Sequence, residues 1–144
     1  MRRNEFIPLL ATVLLAAAPP RMPHVVTYRD RGCGCCEGWA KAARSAGYVV
    51  QLHELDRGER LKRFGLTAMT AGCHTSVVSG YIVEGHVPFD ILAKLLRERP
   101  RIRGIALPGM PTGVPGMDGA RAGGWDVLTL EVAPRIYARI TTTD

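Results

Sequence analysis

Three of the chain's four cysteines fall in the run Cys33-Gly34-Cys35-Cys36, and the fourth, Cys73, stands beside His74. Thiols this crowded make poor covalent staples. Cys35 and Cys36 are adjacent, and a disulfide restricts both the Cα separation and the direction of the Cβ vectors. A fold containing this run therefore has to rest on an apolar core, and the length allows one domain with a modest one. The same crowding suits soft-metal ligation and thiol redox chemistry.

The order of elements places the cysteines. Residues 25–28 (V-V-T-Y) are β-branched and aromatic and predict a first strand. Asp30-Arg31-Gly32 is a turn leading into the cysteine run. Residues 37–46 predict a helix, with Trp39, Ala42, Ala43 and Ala46 near helical spacing and Gly47 as a stop. Residues 48–55 read as a second strand, and residues 57–64 as a short basic helix closed by Gly65. A hairpin about Gly80 is expected from residues 75–79 and 81–84. Residues 88–98 follow as a helix, with Pro88 in its first turn and Ile91, Leu92, Leu95 and Leu96 on one face.

Strand, helix, strand, helix, hairpin, helix is the order of a thioredoxin-like α/β core. In such a core the cysteine run opens the first helix, where unpaired amides and a partial positive charge favour thiolate over thiol. Cys33 and Cys36 have the C-x-x-C spacing of a redox motif. Cys73 precedes the third strand, on the loop that this fold carries back across the first helix, so four sulfurs are expected at one spot. The proline that thioredoxins place in that loop is replaced here by Cys73-His74-Thr75.

Residues 107–117 read L-P-G-M-P-T-G-V-P-G-M, which excludes helix and central strand and predicts a loop bearing Met110 and Met117. Residues 125–131 and 135–140 predict two further strands, antiparallel about Ala133-Pro134 and added to a sheet edge. The domain is thus expected over residues 24–140. Residues 1–18 have the form of a signal peptide or N-terminal anchor: Arg2 and Arg3, an apolar run over residues 7–18, and small residues at Ala16-Ala17-Ala18. That run falls short of the about 20 residues a membrane span needs. Export to a bacterial periplasm is the expectation, with no span beyond a retained anchor. The basic residues Arg57, Arg60, Lys62, Arg63, Arg97, Arg99, Arg101 and Arg103 are scattered and read as solvated helix and loop faces. Aromatic residues make up only 6% of the chain and do not interleave with basic ones, which argues against a nucleic-acid surface.

Four blocks occur in order across residues 24–140. They are Cys33-Gly34-Cys35-Cys36-Glu37-Gly38-Trp39, Cys73-His74-Thr75, Gly85-His86-Val87-Pro88, and Pro108-Gly109-Met110-Pro111 through Pro115-Gly116-Met117. Together they resemble the signature of a bacterial family of predicted periplasmic metal-binding proteins that includes the copper-resistance CopG proteins. The resemblance implies a thioredoxin-like fold whose cysteines bind copper. It also implies a role in handling copper or changing its oxidation state, alongside periplasmic copper-handling partners.

Copper(I) is soft and takes thiolate and thioether ligands, and bridging thiolates let a few sulfurs hold more than one ion. Cys33, Cys35, Cys36 and Cys73 are the expected metal ligands. Four thiolates would also suit zinc, but structural zinc generally draws on two separated two-residue knuckles and only one is present. Two alternatives stay open. One is a pair of structural disulfides. The other is a thiol-disulfide oxidoreductase in which Cys33 attacks and Cys36 resolves.

His74 reads equally as a ligand or orienting group and as an imidazole at the surface or bonded to a nearby carbonyl. His86 reads first as a cap for the following helix, with a metal role as the alternative. Met110 and Met117 read equally as thioethers covering or feeding a copper site and as fillers of a core gap. Trp39 reads as a packing residue, and His24 and His53 have no supporting context.

Overall fold

A computed structural model describes residues 22–142, so the expected leader over residues 1–18 lies outside the described residues. The elements are β1 (His24–Arg29), α1 (Gly34–Ser45), β2 (Val49–Glu54), α2 (Arg57–Phe64), β3 (His74–Val78), β4 (Tyr81–Glu84), α3 (Phe89–Glu98), β5 (Gly104–Ala106), β6 (Trp125–Thr129) and β7 (Ile136–Ile140). The strands form one seven-stranded sheet in the order β2-β1-β3-β4-β5-β6-β7. With the three helices this is a mixed α/β fold.

Local chemistry accounts for most of the boundaries. β1 and β2 are parallel, which demands a crossover, and α1 supplies it. β3 and β4 form the expected hairpin. Its two turn residues, Ser79 and Gly80, both have positive φ (49° and 86°), as a tight hairpin with right-handed strand twist requires. In α2 the Asp56 carboxylate accepts a hydrogen bond from the Glu59 amide at 3.1 Å, and Gly65 closes the helix in the left-handed region at φ 61°, satisfying orphan groups at both ends. The C-terminal strands join the sheet edge as expected, antiparallel to each other.

Three expectations are corrected. α1 begins at Gly34 rather than at residue 37, because the Glu37 amide donates to the Cys33 carbonyl at 3.2 Å and the helical ladder starts one turn early. Pro88 is the N-cap of α3 rather than part of its first turn. Arg60, expected on a solvated helix face, is fully buried, with its guanidinium on Glu84.

Helices cover both faces of the sheet. Trp39, Ala40 and Ala43 of α1 and Ile91, Leu92 and Leu95 of α3 pack with Val25, Val83 and Ile105 in the main core. Leu61 and Phe64 of α2 meet Ala106, Leu66 and Leu130 in a smaller one. Ile105 and Ala106 are successive residues of β5, so the two cores lie on opposite faces.

β5 itself has no counterpart in the sequence reading. Three residues are too few to show a strand period, and Gly104 opens it because the backbone must come very close to β4: a Cβ at Gly104 would lie 1.9 Å from the Ile82 carbonyl oxygen. Gly104→Ala should therefore destabilise the fold by about 3 kcal/mol, the upper end for overpacking, since backbone rather than a side chain must give way. Urea unfolding should show a lower midpoint at unchanged slope.

Candidate metal centre

The pairing of β1 with β3 assembles the site. Arg29, the last residue of β1, pairs with His74, the first of β3. The turn after β1 carries Gly32 at φ 70° and is closed by the Cys33 amide donating to the Asp30 carbonyl at 3.3 Å. Cys73 thus ends beside Cys33 and the first turn of α1.

The four sulfurs lie within 4.8 Å of one another. Cys33 and Cys36 are joined as a disulfide, and Cys35 and Cys73 are free thiols. The Cys73 Sγ is 3.2 Å from that of Cys35, 3.4 Å from that of Cys33 and 3.3 Å from that of Cys36. Cys33 and Cys35 are 3.6 Å apart. Cys36 is buried, and the other three are half-buried.

The near-equal distances from Cys73 to the two disulfide sulfurs carry a chemical consequence. A thiolate displaces a disulfide sulfur by approaching along the S–S axis, on the side away from the leaving sulfur. Cys73 instead sits side-on to the bond. That position suits a further donor to a shared ion better than an attacking or resolving thiol. Burial, reinforced by the Cys35 thiol, pushes Cys73 up to about 12, against the pull of the Arg60 charge. Cys73 therefore keeps its proton at neutral pH in the metal-free protein.

Behind the sulfurs lie two buried imidazoles. His74 lies between Trp39, tilted against it at 50°, and His86, edge-on at 82°, with ring centroids 4.8 Å away in each case, and neither of its nitrogens has a hydrogen-bond partner among the described residues. His86 does not cap α3. Its Nδ1 lies 2.7 Å from the Pro115 carbonyl, to which it donates, and its Nε2 has no partner among the described residues. Buried ring nitrogens without partners are costly. They are also in the neutral, ligating form, because burial lowers both histidines from the ordinary range, His74 furthest. Cys73, His74 and His86 each offer one donor atom, all within 4.8 Å of one another.

The Pro-Gly-Met loop roofs this region and separates its two methionines. A Cβ at Gly116 would lie 2.5 Å from the Trp39 amide nitrogen and 2.6 Å from the Cys35 carbonyl oxygen, so only glycine lets the loop rest on α1. Met117 packs against the main core. Met110 is exposed, on a cavity of about 320 Å³ lined also by Asp30, Arg57, Gly72 and Cys73. Trp39 is buried as expected and donates from Nε1 to the Val87 carbonyl at 3.1 Å. His24 and His53 are exposed, and neither falls in a group of potential metal ligands.

Two residues at the site escaped the sequence reading, Arg60 and Glu84. Arg60 is one of four basic residues in its helix, and no local pattern sets it apart from the solvated ones. Glu84 closes a short apolar strand, and an acid in that position was the one available hint.

The two imidazoles make the metal-free protein acid-sensitive. Folded-state values below 6.5 mean that the unfolded chain binds more protons as pH falls through that value, so the histidines' contribution is fully present above it and declines below. Glu84, raised by burial to about 6, works in the opposite sense between its unfolded value and 6. With two histidines against one carboxyl, urea unfolding at pH 7.5 and pH 5.5 should show lower stability at the acid value. His86→Gln should reduce the difference.

Comparison with known proteins places these features in context. A family described as "Protein of unknown function, DUF411" matches residues 70–117, which hold Cys73, His74, His86 and both loop methionines. Solved structures of a copper resistance protein CopG are similar over most of the chain. Its form 2 is 32% identical with a TM-score of 0.73, covering 84% of this chain and 100% of that one. Its form 1 is 36% identical with a TM-score of 0.72, covering 81% and 95%. No curated protein sequence matches the chain.

Proposed function

The chain belongs to the family of the copper resistance protein CopG, and from that premise we propose that it is a periplasmic copper-binding protein acting in copper resistance. Copper is its cargo. The observation that carries this reading is the convergence of four sulfurs from two segments forty residues apart into one pocket. Sulfur-rich sites select soft copper(I), and shared thiolates allow more than one ion. The disulfide sets a condition: Cys33 and Cys36 become thiolate donors only once reduced. The order of the first four strands and three helices supports a thioredoxin-like reading of the core. The expected leader and a disulfide on a half-exposed motif both fit an oxidising compartment.

The neighbouring imidazoles extend the reading to redox interconversion. Nitrogen donors accommodate copper(II) better than sulfur alone does, and His74 and His86 lie on the inner side of Cys73. Two copper(II) ions could each take one electron from the Cys33 and Cys36 thiolates, giving two copper(I) ions and the disulfide. Two electrons leave sulfur and two arrive at copper. Regenerating the two thiolates for a further cycle, with copper left as copper(I), needs a dithiol or other two-electron donor of the periplasm. That Met110 and Cys73 line one cavity supports a role for Met110 in passing copper(I) in or out.

A second reading, thiol-disulfide oxidoreductase, is favoured by the Cys33–Cys36 disulfide at the start of α1. It leaves Cys35 and the side-on Cys73 without a task. Reduction of insulin by the metal-free protein, with robust turnover, would promote it over the copper reading.

Anaerobic titration of the reduced protein with copper(I) against a competing chelator should show more than one tightly held ion per chain. Cys35→Ser should lower that stoichiometry. Equal binding by variant and wild type would sink the four-sulfur site. The denatured protein should titrate two thiols before reduction and four after it, as one disulfide and two free cysteines require.

A further inference from the structure

Arg60 and Glu84 are both fully buried, with Arg60 Nη1 3.2 Å from Glu84 Oε1. A buried ion pair is seldom a net gain in stability over well-packed neutral residues, so its use lies in what it holds. Here it holds the sulfur loop. Glu84 Oε1 accepts from the Gly72 amide at 2.8 Å, and Oε2 accepts from the Thr75 hydroxyl. One carboxylate thereby grips the chain on both sides of Cys73 and His74. Arg60 Nη1 donates to the same Thr75 hydroxyl at 3.3 Å, and Nη2 lies 3.8 Å from the Asp30 carboxylate. Asp30 in turn accepts the Cys33 amide through its carbonyl. The pair thus ties the segment bearing Cys73 to the turn bearing Cys33. Among the described residues Arg60 Nε has no hydrogen-bond partner, and Nη2 has none beyond its ion pair with Asp30.

We propose that the buried Arg60–Glu84 pair, with Thr75 as its link, is the positioning element of the sulfur site, holding Cys73 against the opening of α1 in the geometry that binds copper. The proposal rests on the four-sulfur reading for its purpose, and on these hydrogen bonds and the Arg60–Asp30 ion pair for its mechanics. Neither residue touches the ion. Both act through Cys73.

The test separates positioning from mere support of the fold. Replacing both residues with apolar ones, Arg60→Met with Glu84→Leu, removes the grip without leaving a charge buried alone, and hydrophobic replacement of a buried ion pair is often neutral for stability. Thr75→Val removes only the linking hydroxyl and serves if the double variant fails to fold. In disulfide-intact, metal-free protein only Cys35 and Cys73 react with iodoacetamide, and mass spectrometry reads each rate separately. The expected result, in a variant with wild-type far-ultraviolet circular dichroism, is a Cys73 rate raised about tenfold while the Cys35 rate changes much less. Copper(I) affinity of the reduced variant should fall about tenfold, or about 1.4 kcal/mol. A folded variant whose Cys73 alkylates at the wild-type rate would overturn the proposal. Because alkylation is read without copper, that failure is distinct from failure of the copper reading, which would appear as wild-type protein that binds no copper(I).

Discussion

The antiparallel pairing of β1 with β3 is the constraint on which the site depends. β1 and β2 are parallel, so the chain must leave β1 and cross over through α1. This puts the N-terminus of α1 at the edge of the sheet where β1 ends. β3 runs the other way and so begins at that same edge. One residue before β3 and one turn after β1 therefore coincide in space, and cysteines occupy both places. Register matters as much as direction. A slip of two residues would preserve which side chains face the core, yet it would carry Cys73 about 7 Å along the strand, out of contact with the α1 sulfurs.

The groups gathered there are uncomfortable without a cation. Cys73 is held protonated by burial, and among the described residues the His74 ring nitrogens have no hydrogen-bond partner and the buried Arg60 guanidinium leaves Nε unbonded. Each is an expense of desolvation that the apolar core has to cover. A soft cation bound by thiolates would relieve the thiol and the imidazoles together, exchanging a thiol proton for metal and giving the ring nitrogens a partner. Binding of that kind necessarily stabilises the folded state, since the unfolded chain has no such pocket.

Sequence patterns carried much of this and stopped at identifiable points. The hairpin about Gly80 and the α2 helix between Asp56 and Gly65 were legible because turn and cap chemistry are local. Cys33, Cys35, Cys36 and Cys73 could be expected to meet because the order of elements implied it. β5 was invisible, since three residues show no period and its reason for being a strand lies in β4. The burial of Arg60 was invisible for a related reason: its partner Glu84 is twenty-four residues away and nothing within the α2 helix marks it. His86 was misread as a helix cap because its true partner, the Pro115 carbonyl, belongs to a loop whose path local patterns do not reveal.

The contact between α1 and the Pro-Gly-Met loop is made of main chain on main chain. A Cβ on Gly38 would come within 3.1 Å of the Gly116 Cα, and Gly116 tolerates none at all. The backbones meet where the two glycines face each other, so the two glycines set the spacing of this seam jointly. Among relatives that keep the loop seated on the helix, both positions should stay bare together. A chain that fills either one must carry its loop higher and leave the imidazole beneath it under a looser ceiling.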